Sequence, residues 1–557
     1  MFNKRRKKAK EEIYPDEVFL DSRNLPQFDT YQMEGRIEKP ISKKYLVFLI
    51  SAFLIIALIF STKLFFLQVI NGEIYAQRSE NNRLNISYIF PNKGIIYDRN
   101  GEKLVWNDFN SRIYTSLDGF SHILGYVGLP SEKDLKEKGE NIMEAMIGKD
   151  GMEKIYEDLL FGIPGNKIVE VDSQDNVISE SIQQWPEDGK DINLSIDLKI
   201  QAELFKDIGA IVEERGFQGG AGVIMNINNG EILSLVSYPE YDSQVLTNGE
   251  DREKIIQFLN DQRKPFLNRA ISGLYAPGSI IKPLIAVAAL NENVITPEKQ
   301  ILSTGSISIP NPYFPGKFSV FKDWKAHGWV DIRHALAVSS DVYFYEVGGG
   351  FENQKGLGIS KIEEYAKLFG FGGYTSIDLL GEKNGIVPNP ELHKETNPED
   401  PVWRVGDTYN ASIGQGNFQV TPIQMAVLVS SIANNGKLLK PHLKKDSETV
   451  VLKDNSNIPQ NYYQVVKEGM RMSVTEGTAS ALYIAPVKIA AKTGTAEVGG
   501  AKKYVNSWVI GFFPYENPKY AFAVVMEKGP YANLVGASAV MRQFFDWVSI
   551  YTPEYLK

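Results

Sequence analysis

Ser279 and Lys282 stand three residues apart in Pro277-Gly278-Ser279-Ile280-Ile281-Lys282-Pro283, at the head of the apolar run 284–290. At that spacing the two side chains share one face of a helical turn. A serine hydroxyl is a poor nucleophile until a base takes its proton. A lysine can be that base only if burial or neighbouring cations push it toward the neutral amine. The first amides of the helix would point at an oxyanion forming beside the serine. Pro283 fits, because first-turn amides have no partner inside the helix. Alone, the pair reads more readily as a capping serine beside a surface lysine. Ser339-Ser340-Asp341 follows the amphipathic stretch 331–338 and precedes Val342-Tyr343-Phe344-Tyr345, and by itself it is a helix cap. Lys492-Thr493-Gly494-Thr495-Ala496-Glu497 ends a strand expected over 487–491. Its glycine permits another backbone to approach closely, and the lysine with two hydroxyls would form an edge that binds a peptide carboxylate. The plainer alternative is an edge strand carrying a charge against aggregation.

The elements that must position these residues belong to a long chain. Its 557 residues predict three or four domains at roughly 150 residues each. A composition of 43% hydrophobic and 23% charged residues excludes wholesale disorder, and a formal charge of −8 argues against a general nucleic-acid binder. Without cysteine there are no disulfides, thiolate metal sites or cysteine nucleophiles. His122, His327, His334, His393 and His442 form no ligand-spaced pair, so no zinc site is expected.

The basic run Lys4-Arg5-Arg6-Lys7-Lys8 and the polar stretch after it predict a disordered tail over 1–44. From 45 to 62 no residue is charged. At ~1.5 Å per residue this run spans about 27 Å, close to a bilayer core, and it extends to 67 with Lys63 at the interface. The cations before the span place the tail in the cytoplasm, with everything after the helix outside the cell membrane. Residues 68–192 read as an irregular, elongated module. From 193 to 557 the texture is that of an α+β domain: a helix over 197–214, a hairpin of 221–227 and 231–237 turned by Asn228-Asn229-Gly230, and a long helical middle. Strands over 487–491, 508–513 and 520–526 and a helix over 533–550 follow. One antiparallel sheet built from both ends and flanked by helices is the expected core.

Taken in order, Ser-x-x-Lys, Ser-x-Asn and Lys-Thr-Gly form the signature of the penicillin-binding proteins and serine β-lactamases, and this chain resembles that family. Lys93-Gly94-Ile95-Ile96-Tyr97-Asp98-Arg99-Asn100-Gly101 resembles the Arg-Gly-x-Ile-x-Asp-Arg-Asn-Gly segment of the class B pedestal, also known as the dimerisation domain. Gly148-Lys149-Asp150-Gly151-Met152-Glu153 through Gly165 resembles its second landmark. Ser412-Ile413-Gly414-Gln415-Gly416 with Thr421-Pro422 is similar to a stretch between the second and third motifs. The likeness runs from about residue 45 to the end. Two departures stand out: Lys93 where the pedestal usually has arginine, and Asp341 where the second motif usually has asparagine. Ser-x-Asp, with Asp323-Trp324-Lys325 and His327-Gly328 upstream, resembles the elongation branch, penicillin-binding protein 2, more than the division branch. Some relatives carry a cysteine inside the second motif. Here that position is Ser340, so a metal associated with that pattern is not carried over.

The resemblance implies a peptidoglycan D,D-transpeptidase of cell-wall elongation and cell shape, inhibited by β-lactams and without a cofactor. Ser279 would attack the penultimate D-Ala carbonyl of a stem peptide, with Lys282 as base. Ser339 would pass a proton to the leaving amine, and Asp341 would orient Lys282 and the substrate amide. The amides of Ser279 and Thr495 would form the oxyanion hole, and Lys492, Thr493, Gly494 and Thr495 would line the carboxylate site. The implied partners are stem peptides, β-lactams, and a polytopic membrane glycosyltransferase of the SEDS family with other elongation-complex proteins. About 120 residues of pedestal leave no room for the glycosyltransferase domain of a class A enzyme. Three alternatives remain: a division-type transpeptidase, a non-catalytic β-lactam sensor or scaffold, and a β-lactamase.

Overall fold

The computed structural model describes residues 42–557 other than 110, 140–141, 172–173, 175, 312–313 and 499–502. Through residue 41, the tail expected over 1–44 lies outside the described residues. The chain divides into a smaller unit, which comprises the chain to Asn85 with Val169–Glu180, and a larger one of Ile86–Ile168 with Ser181–Lys557.

In the smaller unit, helix α1 (Lys43–Phe65) buries none of its residues, and helical structure continues to Ile70. Phe48, Leu54 and Leu58 are each more than three-fifths exposed. An apolar helix that buries none of its residues is what a hydrocarbon solvent requires, and the 28 residues of Lys43–Ile70 are long enough to cross a bilayer.

In the larger unit, β1 (Ile96–Tyr97), β2 (Lys103–Asp108), β3 (Ser111–Tyr114) and β4 (Ile192–Asn193) form a sheet in the order β3-β2-β1-β4. The lysine that replaces the usual pedestal arginine lies inside this region. Lys93 Nζ is 2.6 Å from Glu157 and 3.2 Å from Glu153, whose other oxygen takes Arg112 Nε at 2.7 Å. Position 93 therefore keeps its charge and pairs it with two buried carboxylates.

Asp197 caps α2 (Leu198–Arg215) by accepting the Lys199 and Ile200 amides, and Gly216 ends the helix at φ 69°. The hairpin of β5 (Gly219–Asn226) and β6 (Ile232–Tyr238) follows as the sequence predicts. The helical middle supplies α3 (Lys282–Asn291), α4 (Ile332–Val338), α5 (Asp341–Gly349), α6 (Pro422–Ala433) and α7 (Gln460–Thr475). The chain returns to the sheet with β7 (Ala490–Val498), β8 (Tyr504–Phe513) and β9 (Tyr520–Pro530).

Helix α8 (Ala537–Tyr551) closes the chain. The sheet runs β6-β5-β9-β8-β7, antiparallel throughout, so both ends of the domain build it, as expected. Its pleat divides two cores. Ala221, Val223 and Met225 of β5 join the cluster that includes α6, while Ile224 joins the one that includes α2 and α8. Several boundaries differ from the sequence reading, and the strands expected over 508–513 and 520–526 run over Tyr504–Phe513 and Tyr520–Pro530. The strand expected over 487–491 begins at Ala490 and runs on through the Lys-Thr-Gly motif, because Lys492–Thr495 pair in register with Ile510–Ser507. The last helix starts at Ala537 rather than 533, since Asn533 first turns the chain by accepting the Val535 amide.

Candidate active site

A 3-10 turn, Gly278–Ile281, carries Ser279 into α3. Gly278 sits at φ +56°, and a Cβ there would lie 3.1 Å from the Thr495 carbonyl oxygen. A Cβ on Gly494 would lie 2.9 Å from Ile280 Cγ2 and 3.0 Å from the Pro277 carbonyl. Both glycines are therefore required for the serine turn to rest directly on edge strand β7. Behind the turn the Gly278 amide donates to Gly414, which gives the Ser412–Gly416 stretch a supporting role. Trp508 Nε1 donates to Ala276 from the neighbouring strand.

Ser339 links α4 to α5 in the left-handed region, at φ 60° and ψ 41°. A non-glycine residue there costs on the order of 1–2 kcal/mol. The conformation aims both its carbonyl and its hydroxyl at lysines. Lys282, wholly buried, donates from Nζ to the Ser339 carbonyl at 2.9 Å, to Ser339 Oγ at 3.4 Å and to Asp341 Oδ1 at 2.6 Å. Lys492, also wholly buried, donates to Ser339 Oγ at 2.8 Å and to the Thr493 carbonyl at 2.8 Å. One hydroxyl thus joins two amines. Burial holds the Lys492 amine well below the ordinary lysine value; the Lys282 charge adds to that, and the Asp341 carboxylate opposes it.

The four charged or hydroxyl groups Lys282, Ser339, Asp341 and Lys492 are joined by direct hydrogen bonds. Ser279, Gly494 and Thr495 meet through backbone packing. The Ser279 hydroxyl is not among the hydrogen-bond partners of Lys282, whose bonds go to the second motif; the two residues share the turn that the spacing predicts. Two further residues escaped sequence reasoning as site residues. Thr478 lies in the turn after α7, where its hydroxyl accepts from Thr493 Oγ1 at 2.6 Å and its amide donates to Ala337 at 3.1 Å. Asp323 lies in a loop, with its carboxylate against Ser340 and Val342. Thr478 had no sequence signal beyond an ordinary Gly-Thr turn, and Asp323 appeared only as a marker of the branch. Chemically, the arrangement offers a nucleophile on a helix N-terminus, a proton path through Ser339, and a lysine–threonine edge for an anion.

Residues 220–546 match the model of the penicillin-binding protein transpeptidase domain, and residues 108–194 that of the penicillin-binding protein dimerisation domain. The peptidoglycan D,D-transpeptidase MrdA of Escherichia coli K12 is 32% identical over 479 residues, covering 79% of this chain and 72% of the relative. The structure of Pseudomonas aeruginosa PBP2 in complex with WCK 5153 superposes with a TM-score of 0.70 at 30% identity, over 85% of this chain and 98% of that one. That of Helicobacter pylori PBP2 in complex with MreC gives 0.71 at 28% identity, over 84% and 100%. The chain belongs to the elongation-type class B penicillin-binding proteins. An α+β transpeptidase domain follows a dimerisation domain, and among the described residues one helix long and apolar enough to cross a membrane precedes both.

Proposed function

We propose that this class B penicillin-binding protein is a serine-type D,D-transpeptidase that cross-links peptidoglycan stem peptides during cell-wall elongation. The observation that carries the assignment of residues is the position of Ser339 Oγ, within 3.4 Å of Lys282 and 2.8 Å of Lys492. Ser279 attacks the penultimate D-Ala carbonyl and forms an acyl-enzyme, expelling the terminal D-Ala. Lys282 takes the serine proton, and Asp341 holds Lys282 in place. Ser339 returns a proton to the leaving amine. Lys492 with Thr493 and Thr495 binds the substrate carboxylate, and Gly494 lets β7 approach the serine turn. The Ser279 and Thr495 amides stabilise the oxyanion. An amine from a neighbouring stem peptide then completes the cross-link, whereas water gives carboxypeptidase action. β-Lactams acylate Ser279.

The organisation we propose is a cytoplasmic tail over 1–44, a membrane helix over 45–67, a pedestal over 68–192 and the transpeptidase domain over 193–557. The basic N-terminus supports a cytoplasmic start and a catalytic domain outside the membrane. A single anchor and a pedestal suit a polytopic glycosyltransferase of the SEDS family and an MreC-like partner. In liposomes carrying glycan strands with pentapeptide stems, the full chain is expected to release D-Ala and form cross-linked dimers. Release of neither product, despite stoichiometric penicillin binding, would favour the sensor or scaffold reading. Rapid turnover of penicillin would instead favour a β-lactamase.

A further inference from the structure

The strained Ser339 turn needs something to hold it, and the loop between strands Phe318–Lys322 and Gly328–Val330 supplies a buried anchor. The Asp323 side chain is fully buried. As a carboxylate it can only accept hydrogen bonds, and the groups around it donate. Ser340 Oγ reaches Oδ2 at 2.9 Å, the Val342 amide at 3.0 Å and Ser303 Oγ at 3.3 Å, while the Trp324 amide reaches Oδ1 at 2.8 Å. The buried His327 ring stands beside Oδ1, with Nε2 at 3.5 Å. Ser340 and Val342 flank Asp341, and Ser340 follows Ser339 directly. On the other side of the turn Trp324 Nε1 donates to the Val338 carbonyl at 3.2 Å. One loop therefore grips residues 338, 340 and 342, and the residues left between those grips are Ser339 and Asp341, the two that hold Lys282.

We infer that Asp323 is a positioning residue for the acylation step, fixing the Ser339–Asp341 turn through Ser340 Oγ and the Val342 amide so that Lys282 and Lys492 converge on Ser339. This rests on the proposed roles of Ser279, Lys282 and Ser339. Asp323 itself touches none of the reacting groups. Its effect is on the rate at which a bound ligand acylates Ser279, because the strand that carries Lys492, Thr493 and Thr495 is anchored separately by its ladder with β8. The carboxylate and the two hydroxyls are knit by hydrogen bonds, and the imidazole stands beside them with Nε2 3.5 Å from Asp323 Oδ1. Among the described residues no group of three or more His, Cys, Asp or Glu side chains is placed to hold a metal ion.

The test is stopped-flow acylation of the full chain in detergent by a fluorescent penicillin, comparing wild type with Asp323→Asn, Ser340→Ala and the double variant. Each single change is expected to slow acylation at saturating penicillin by about ten- to a hundredfold, with less than a threefold change in the half-saturating concentration and full final labelling. Because both act through one contact, the double variant should be no more than about threefold slower than the slower single one. Wild-type rates should survive exhaustive chelation. A lower final stoichiometry at an unchanged rate would mean that Asp323 serves folding alone. Singles that multiply in the double variant, or a rate lost on chelation and restored by zinc, would equally overturn the inference. Ser279→Ala separates the two levels of argument: if that variant still labels, the proposed site fails. If it does not label and Asp323→Asn acylates at the wild-type rate, only the positioning role fails.

Discussion

Replacing Asp341 with alanine should leave a buried amine without its nearest partner, and the size of the penalty follows from burial. Lys282 is wholly buried and donates to Asp341 at 2.6 Å, while the Asp341 side chain keeps 21% of its surface exposed. Removing one member of a fully buried pair costs roughly 3–5 kcal/mol. Here the Ser339 carbonyl still accepts from Lys282 at 2.9 Å, and water can reach the carboxylate side, so about 2–3 kcal/mol is expected for Asp341→Ala. Lys282→Met leaves a carboxylate that water can solvate, and should cost about 1–2 kcal/mol. With both groups gone no buried partner is left unpaired. The double variant should therefore be about 1.5–2 kcal/mol more stable than the sum of the two single losses implies. Urea unfolding of the full chain in detergent, followed by intrinsic fluorescence, measures all four corners of the cycle. A coupling below about 0.5 kcal/mol, within the scatter of independent sites, would refute the idea that this ion pair holds the second motif against α3.

Gly494→Ala would push a methyl group against Ile280 and the Pro277 carbonyl, so it should cost about 1–3 kcal/mol and slow penicillin labelling at least tenfold; labelling at the wild-type rate would show that the serine turn tolerates displacement. Lys93→Met leaves Glu153 and Glu157 buried with Arg112 as the remaining cation among their ion pairs. A loss of about 3–5 kcal/mol should appear as faster hydrogen exchange across 93–157. His122 is held at about 3 by burial first and by the Arg269 charge second. Its folded-state value lies below the unfolded one, so the unfolded chain takes up a proton first. Stability should fall as pH drops from about 6.5 toward 3, by up to about 1.4 kcal/mol per pH unit, and His122→Phe should remove that part of the slope in urea midpoints.

Much of the fold was legible because its signals are local. Asn229-Gly230 marks the hairpin, Asp197 and Asp331 sit where the caps of α2 and α4 belong, and the apolar run of α1 has the length of a bilayer. Ser279 and Lys282 were legible together because helical spacing alone puts them on one turn. What escaped depends on contacts between distant segments. The start of β7 is set by the register with β8, which 487–491 alone does not encode. Thr478 meets Thr493 because the turn after α7 is hung on the Ala337 carbonyl. Asp323 meets Ser340 across a loop whose path no periodicity describes. The Asp341 substitution was visible as a letter, but its consequence, a carboxylate 2.6 Å from a buried amine, required the fold.

The whole account depends on the serine of the first motif being the group that becomes acylated. Peptide mapping by mass spectrometry after penicillin treatment tests this most directly. The account predicts one acyl group per chain, on the peptide that contains Ser279, and none in Ser279→Ala. An adduct on Ser339 or any other residue, or equal labelling of the two proteins, would contradict it.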